Sequence, residues 1–166
     1  MNDLVPYNIS VLRKMDDILH QLTDAELSEP RPVLFNSSIG GHLRHILEFY
    51  EELLVNRSTG SFSYDRRKRD PLISSEVIAA RACVARNISL LNDLSEDADL
   101  LVVSELPDTE RTSTQRTTLM RELAYLADHG VHHLAMVRIA LQQCLPHISF
   151  PEHLGVAAST RNLRAR

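Results

Sequence analysis

Two histidines, His129 and His133, stand four residues apart in the run Asp128-His129-Gly130-Val131-His132-His133-Leu134. On a helix that spacing stacks the two rings on one face, with Cβ atoms about 5–6 Å apart, close enough for one metal ion to take a nitrogen from each. The face they occupy is apolar. Stepping by three and four reads Leu126, His129, His133, Met136, Ala140, which is the side a helix buries. Buried imidazoles need partners, and a shared ion would supply one for both. A hydrogen bond from each ring to a carbonyl is the competing outcome. His132 falls about 100° away from the pair. A site for zinc or a similar ion generally takes three or four donors, so a third ligand must come from elsewhere in the chain.

The candidate source is Ser37-Ser38-Ile39-Gly40-Gly41-His42-Leu43-Arg44-His45-Ile46-Leu47-Glu48. Its apolar stripe is Ile39, Leu43, Ile46, Tyr50, Leu53. His42 and His45 lie three apart to one side of that stripe, and periodicity alone slightly favours His42 as the inward one. Ligand imidazoles usually donate their other N–H to a carboxylate or carbonyl. Glu48, one turn from His45, and Glu122, two turns before His129, are candidates for that role, as is His42 if it is not itself a ligand. A solvated helix carboxylate is the plainer reading of each glutamate.

Four amphipathic helices are expected to carry these residues. Val5, Ile9, Leu12, Met15, Leu19 and Leu22 define the first, about 5–23. Residues 23–35 hold Pro30 and Pro32 and read as a loop. Ser37 or Ser38 caps the second helix, which runs to about Val55. Residues 56–74 read as mainly loop, and the third helix, with Val77, Val84, Ile88 and Leu91 inward, runs from there to about Leu94. Thr118 caps the fourth, and Pro146 stops it. Leu101-Val102-Val103 and Thr112-Ser113-Thr114 suggest a minor hairpin around Pro107-Asp108. The expected class is therefore all-α, a four-helix bundle with long second and third connections. One domain should span 1–166, with an irregular tail from about 147.

Composition narrows the function. The 166 residues carry a formal net charge of −4, so no nucleic-acid footprint is visible. The charged run Tyr64-Asp65-Arg66-Arg67-Lys68-Arg69-Asp70 is a local exception that could hold an anionic group. A solvated loop with internal ion pairs is its plainer reading. Cys83 and Cys144 make no disulfide framework, suit a reducing compartment and are expected to act as small buried hydrophobes. No apolar run approaches membrane-spanning length, and no basic-then-apolar leader is seen. A cytoplasmic protein is expected, without nucleic-acid or membrane partners. A homodimer is expected because two-fold pairs are the commonest assembly.

Ser-Ile-Gly-x-His-x-x-His-Ile-Leu on the second helix, followed some eighty residues later by His-x-x-x-His on the last helix, resembles the DinB-like family. Relatives there include bacillithiol-dependent transferases, the mycothiol-using maleylpyruvate isomerase and the bundle domain of ergothioneine-forming sulfoxide synthases. The resemblance covers roughly residues 5–145. It implies a four-helix bundle whose metal ligands come one from the second helix and two from the fourth. Matched by position, the second-helix ligand falls on His45, which precedes the Ile-Leu pair, and the others fall on His129 and His133. The implied cofactor is a divalent metal, zinc, nickel or iron, among which ligand type alone does not choose. The implied activity is transfer of a low-molecular-weight thiol to an electrophile. Metal-dependent hydrolysis and a non-catalytic bundle with a structural metal are the alternatives. No catalytic residue beyond the metal ligands can be named.

Overall fold

The computed structural model describes residues 3–160. Its long helices are α1 (Leu4–Leu19), α3 (Ile39–Asn56), α5 (Val77–Asn92) and α6 (Leu119–Cys144), with short α2 (Asp24–Ser28) and α4 (Leu72–Ser75) between them. Three strands, β1 (Ser61–Phe62), β2 (Asp99–Glu105) and β3 (Thr112–Thr118), and a 3-10 turn at Pro32–Leu34 complete the order. The four expected helices are all present, and α1 and α3 each pack against both α5 and α6.

The all-α expectation is wrong. A three-stranded mixed sheet, in the order β1-β2-β3, stands beside the helices. The hairpin is longer than its apolar triplet suggested, pairing Asp99 with Thr118 through to Glu105 with Thr112. Valines on β2 and threonines on β3 favour the pleated surface along that length. β1 adds a parallel edge to β2 by matching Ser61 with Leu101 and Phe62 with Val102. Two residues leave no periodicity to read. Phe62 and Leu100 are buried, which ties the sheet to the helical core.

The sheet has a positional role. Thr118 ends β3 and caps α6, its hydroxyl accepting from Arg121 N at 3.3 Å. Asp97, just before β2, accepts from Met120 N at 2.9 Å, and Ala98 O accepts from Leu119 N at 2.9 Å. The first-turn N–H groups that a helix leaves unpaired are thus taken up by the hairpin, so strand and helix are joined without slack.

Other boundaries also differ. α1 stops at Leu19 although Leu22 is still buried. The apolar period outlasts the helix because Thr23 starts a new one. Its hydroxyl accepts from Glu26 N, and the Glu26 carboxylate accepts from Thr23 N. This reciprocal box opens α2, inside what reads from sequence as a loop. The expected loop 56–74 likewise contains β1 and the first residues of α4. The expected tail from about 147 is irregular but docked, with Ile148 and Leu154 buried and Gln21 Nε2 donating to Ser149 O at 2.9 Å. Residues 161–166 of that tail lie outside the described residues. Cys83 is buried, as expected. Cys144 is exposed, because it lies on the outward side of a last turn whose Leu141 and Leu145 are buried.

The core is the apolar face of each long helix. Ile39, Leu43, Ile46, Tyr50 and Leu53 of α3 are all fully buried. Gly130 lets α1 approach α6 closely, since a Cβ there would stand 3.0 Å from Val11 Cγ1. Among the described residues, no helix is long and apolar enough to cross a membrane.

Candidate metal centre

The site lies between α3 and α6. Ser38, not Ser37, caps α3, its hydroxyl accepting from Gly41 N at 2.9 Å. This fixes the register in which His42 and His45 leave the helix on one side. Nδ1 of His42 stands 3.1 Å from Nδ1 of His133, and Nε2 of His45 stands 3.0 Å from Nε2 of His129. The earlier residue on α3 meets the later one on α6, as antiparallel helices require. One nitrogen each from His45, His129 and His133 fall within 4.8 Å of one another, and all three rings are half-buried. His132 is exposed, touching His133 only edge-on with centroids 5.5 Å apart.

The donor set fits a divalent ion. Two nitrogens bound to one tetrahedral zinc at about 2.0–2.1 Å stand about 3.3–3.4 Å apart, close to the His45–His129 separation. The rings are also in the right charge state. Burial, then Arg67 and His129, push the His45 pKa down to about 4. Burial and the surrounding histidines push His133 down to about 3. His129 and His42 are lowered, chiefly by burial. Neutral imidazoles offer the lone pairs that a metal needs. His42 is a neighbour of the triad, and its Nε2 is buried without a hydrogen-bond partner among the described residues.

The two carboxylates lie a step away from the rings. Glu48 is 2% exposed, and its oxygens accept from Arg67 Nε at 3.3 Å and from Asp70 N at 2.8 Å. Arg67 in turn places Nη2 3.2 Å from His45 Nδ1 and donates from Nη1 to Tyr64 O at 2.8 Å. Glu48 therefore reaches His45 through a guanidinium. Glu122 accepts from the Tyr64 hydroxyl at 2.9 Å and from Thr117 at 2.7 Å. Burial and the Glu122 charge raise the Tyr64 pKa far above its ordinary value, so that phenol stays protonated.

An aromatic wall flanks the rings. Phe49 stacks on Tyr64 at 6° with centroids 4.5 Å apart, Tyr125 stacks on His129 at 14°, and the Arg67 guanidinium lies 4.8 Å from the Phe49 ring centre. Sequence reasoning missed Phe49 and Tyr125 as parts of the site, and took Tyr64 and Arg67 only as members of a charged run that could hold an anionic group. Two of them carried a signal, since Phe49 follows His45 by four residues and Tyr125 precedes His129 by four, the spacing that places neighbours on one helix face.

The family model of the DinB superfamily matches residues 10–137. The chain belongs to the DinB superfamily. The matched span contains His45, His129 and His133 together with the Arg67 loop. No curated protein and no solved structure matches this DinB superfamily chain.

Proposed function

We propose that this DinB superfamily protein binds a divalent metal through His45, His129 and His133 and uses it to join a low-molecular-weight thiol to an electrophile. The observation that carries the metal reading is the convergence of three neutral, half-buried imidazoles from two helices within 4.8 Å. Likeness to DinB-like relatives that handle small thiols supports the thiol. Zinc, nickel and iron all suit three imidazoles.

When bound, the ion supplies a Lewis acid that lowers the pKa of a thiol or water placed on it. The chain's own residues do the rest. Half-burial leaves the rings open to a small molecule on one side. Phe49, Tyr64 and Tyr125 offer an apolar wall of the kind that orients an organic substrate. The Tyr64 phenol, held by Glu122, is fixed as a hydrogen-bond donor rather than a base. Pairing of two copies is proposed alongside, and sedimentation of the purified protein checks it.

The test is metal content of the purified protein, followed by turnover of a panel of small thiols with an alkylating electrophile, with and without chelator. Chelator-sensitive turnover is expected. Absence of turnover across the panel in metal-loaded protein sinks the thiol-transfer reading. Chelator-sensitive release of an acid from an ester or amide would move the assignment to hydrolysis.

A further inference from the structure

The contact between Arg67 and His45 has the wrong polarity for a metal ligand. A guanidinium is always charged and only donates. With Nη2 at 3.2 Å, it gives a hydrogen to His45 Nδ1. The neutral ring then carries its one proton on Nε2, which lies 3.0 Å from His129 Nε2 and donates to it. A consistent chain results, from Arg67 to His45 to His129. Coordination through His45 Nε2 demands the opposite tautomer, with the lone pair on Nε2 and the proton on Nδ1. Nδ1–H and the guanidinium would then confront each other as two donors. Metal-bound imidazoles ordinarily hand that hydrogen to a carboxylate or carbonyl.

We infer that Arg67 opposes metal loading: its hydrogen bond to His45 Nδ1 and coordination at His45 Nε2 exclude one another, so an ion enters only as the Nη2 arm withdraws. This rests on the reading of His45, His129 and His133 as ligands. The exchange is balanced. A metal–Nε2 bond forms, the Nε2 proton leaves to water, and Nδ1 takes one proton from water. The guanidinium is planar and rigid, so Nη2 withdraws only as the whole head turns, and the bonds of Nε to Glu48 and of Nη1 to Tyr64 O must turn with it. The loop is also held to α3 by Asp70 N on Glu48 and Ser63 N on Glu52. Movement of the Arg67 side chain is therefore sufficient, with the loop backbone left in place. By reciprocity, whatever strengthens the Arg67 contact weakens metal binding by the same factor.

Two measurements test this. In the metal-free wild type, long-range nitrogen–proton NMR of the imidazoles should find His45 protonated on Nε2. On adding zinc, the proton should be found on Nδ1. In the second, zinc affinity is measured by competition with a chromophoric chelator for wild type and Arg67→Gln. The glutamine ends two bonds short of Nη2, so the donor facing Nδ1 is removed while its amide still donates toward Glu48. Binding should tighten by about tenfold, the lower end of what a ligand's hydrogen-bond partner contributes. Unchanged or weaker zinc binding in Arg67→Gln, or metal-free His45 protonated on Nδ1, overturns the inference and leaves the metal site standing. If Arg67→Gln does not fold, the wild-type tautomer decides alone. Failure of both proteins to bind zinc overturns the metal reading itself, and this inference with it.

Discussion

The two faces of α3 handle buried polarity in opposite ways. On the core face, the Tyr50 hydroxyl donates to Asn8 Oδ1, while Asn8 Nδ2 donates to Leu4 O at 2.8 Å. Both residues are fully buried, and the phenol and the amide nitrogen each meet an acceptor. On the other face, His42 and His45 meet two further imidazoles nitrogen to nitrogen, an arginine points its donor at one ring, and His42 Nε2 has no partner among the described residues. A closed hydrogen-bond pair adds stability and nothing else. A cluster of half-buried lone pairs, each with more than one arrangement of protons, is costly as structure and useful for binding an ion. The difference separates polar groups that are closed on one another from those whose lone pairs a ligand could take.

The largest expected effect is on the open face. His129→Ala should abolish metal binding, yet the protein should stay folded, because Leu126, Leu134 and the rest of the α6 core face remain buried. Metal analysis and circular dichroism melts check this. Loss of helical signal in this variant, or on chelation of the wild type, would mean that the ion clamps α3 to α6 as a structural element. Where metal is bound, it should raise the melting point by linkage.

Next comes the tight end of the same helix. A Cβ on Gly40 would lie 2.1 Å from the Ser74 carbonyl oxygen, which is backbone and cannot turn aside. Gly40→Ala should destabilise by about 3 kcal/mol and loosen α4 from α3, as read by denaturant unfolding and by hydrogen exchange across residues 72–75. A smaller cost belongs to the closed pair. Tyr50→Phe strips Asn8 Oδ1 of its donor and should cost about 1–2 kcal/mol, with zinc affinity unchanged. A parallel loss of zinc affinity would show that the two faces are coupled.

The smallest effect is acid sensitivity of the metal-free protein. His45 and His133 have folded pKa values of about 4 and about 3, below the 6.5 of an ordinary histidine. The unfolded chain therefore takes up protons first as pH falls. The contribution of these rings to stability is complete above about pH 6.5 and is lost progressively toward pH 4 and 3. Chelator-treated protein should melt lower at pH 5 than at pH 7.5, and His133→Gln should narrow that gap. An equal gap in this variant would place the acid sensitivity elsewhere.

Sequence alone determined what depends on neighbours within a turn or two: the four long helices, the serine and threonine caps of α3 and α6, and the stacking of His129 with His133. The Thr23–Glu26 box was equally legible, and only the nearby prolines made that stretch read as loop. The choice of His45 over His42 came from family likeness against a slight periodic preference, and the structure turns both toward α6, each opposite a different histidine. Tertiary structure decided the rest. Four basic residues stand in a row at 66–69, and nothing local distinguishes Arg67. It is selected because the loop returns across α3 at Glu48. β1 is too short for any period and exists only because Gly60 and Ser61 arrive beside Leu101. Glu122 points to Tyr64, 58 residues away. Periodicity and capping act through bonds between near neighbours, so a sequence displays them directly. The partners of a loop or a lone side chain depend on where distant segments come to rest, and that is set by the packing of the whole chain.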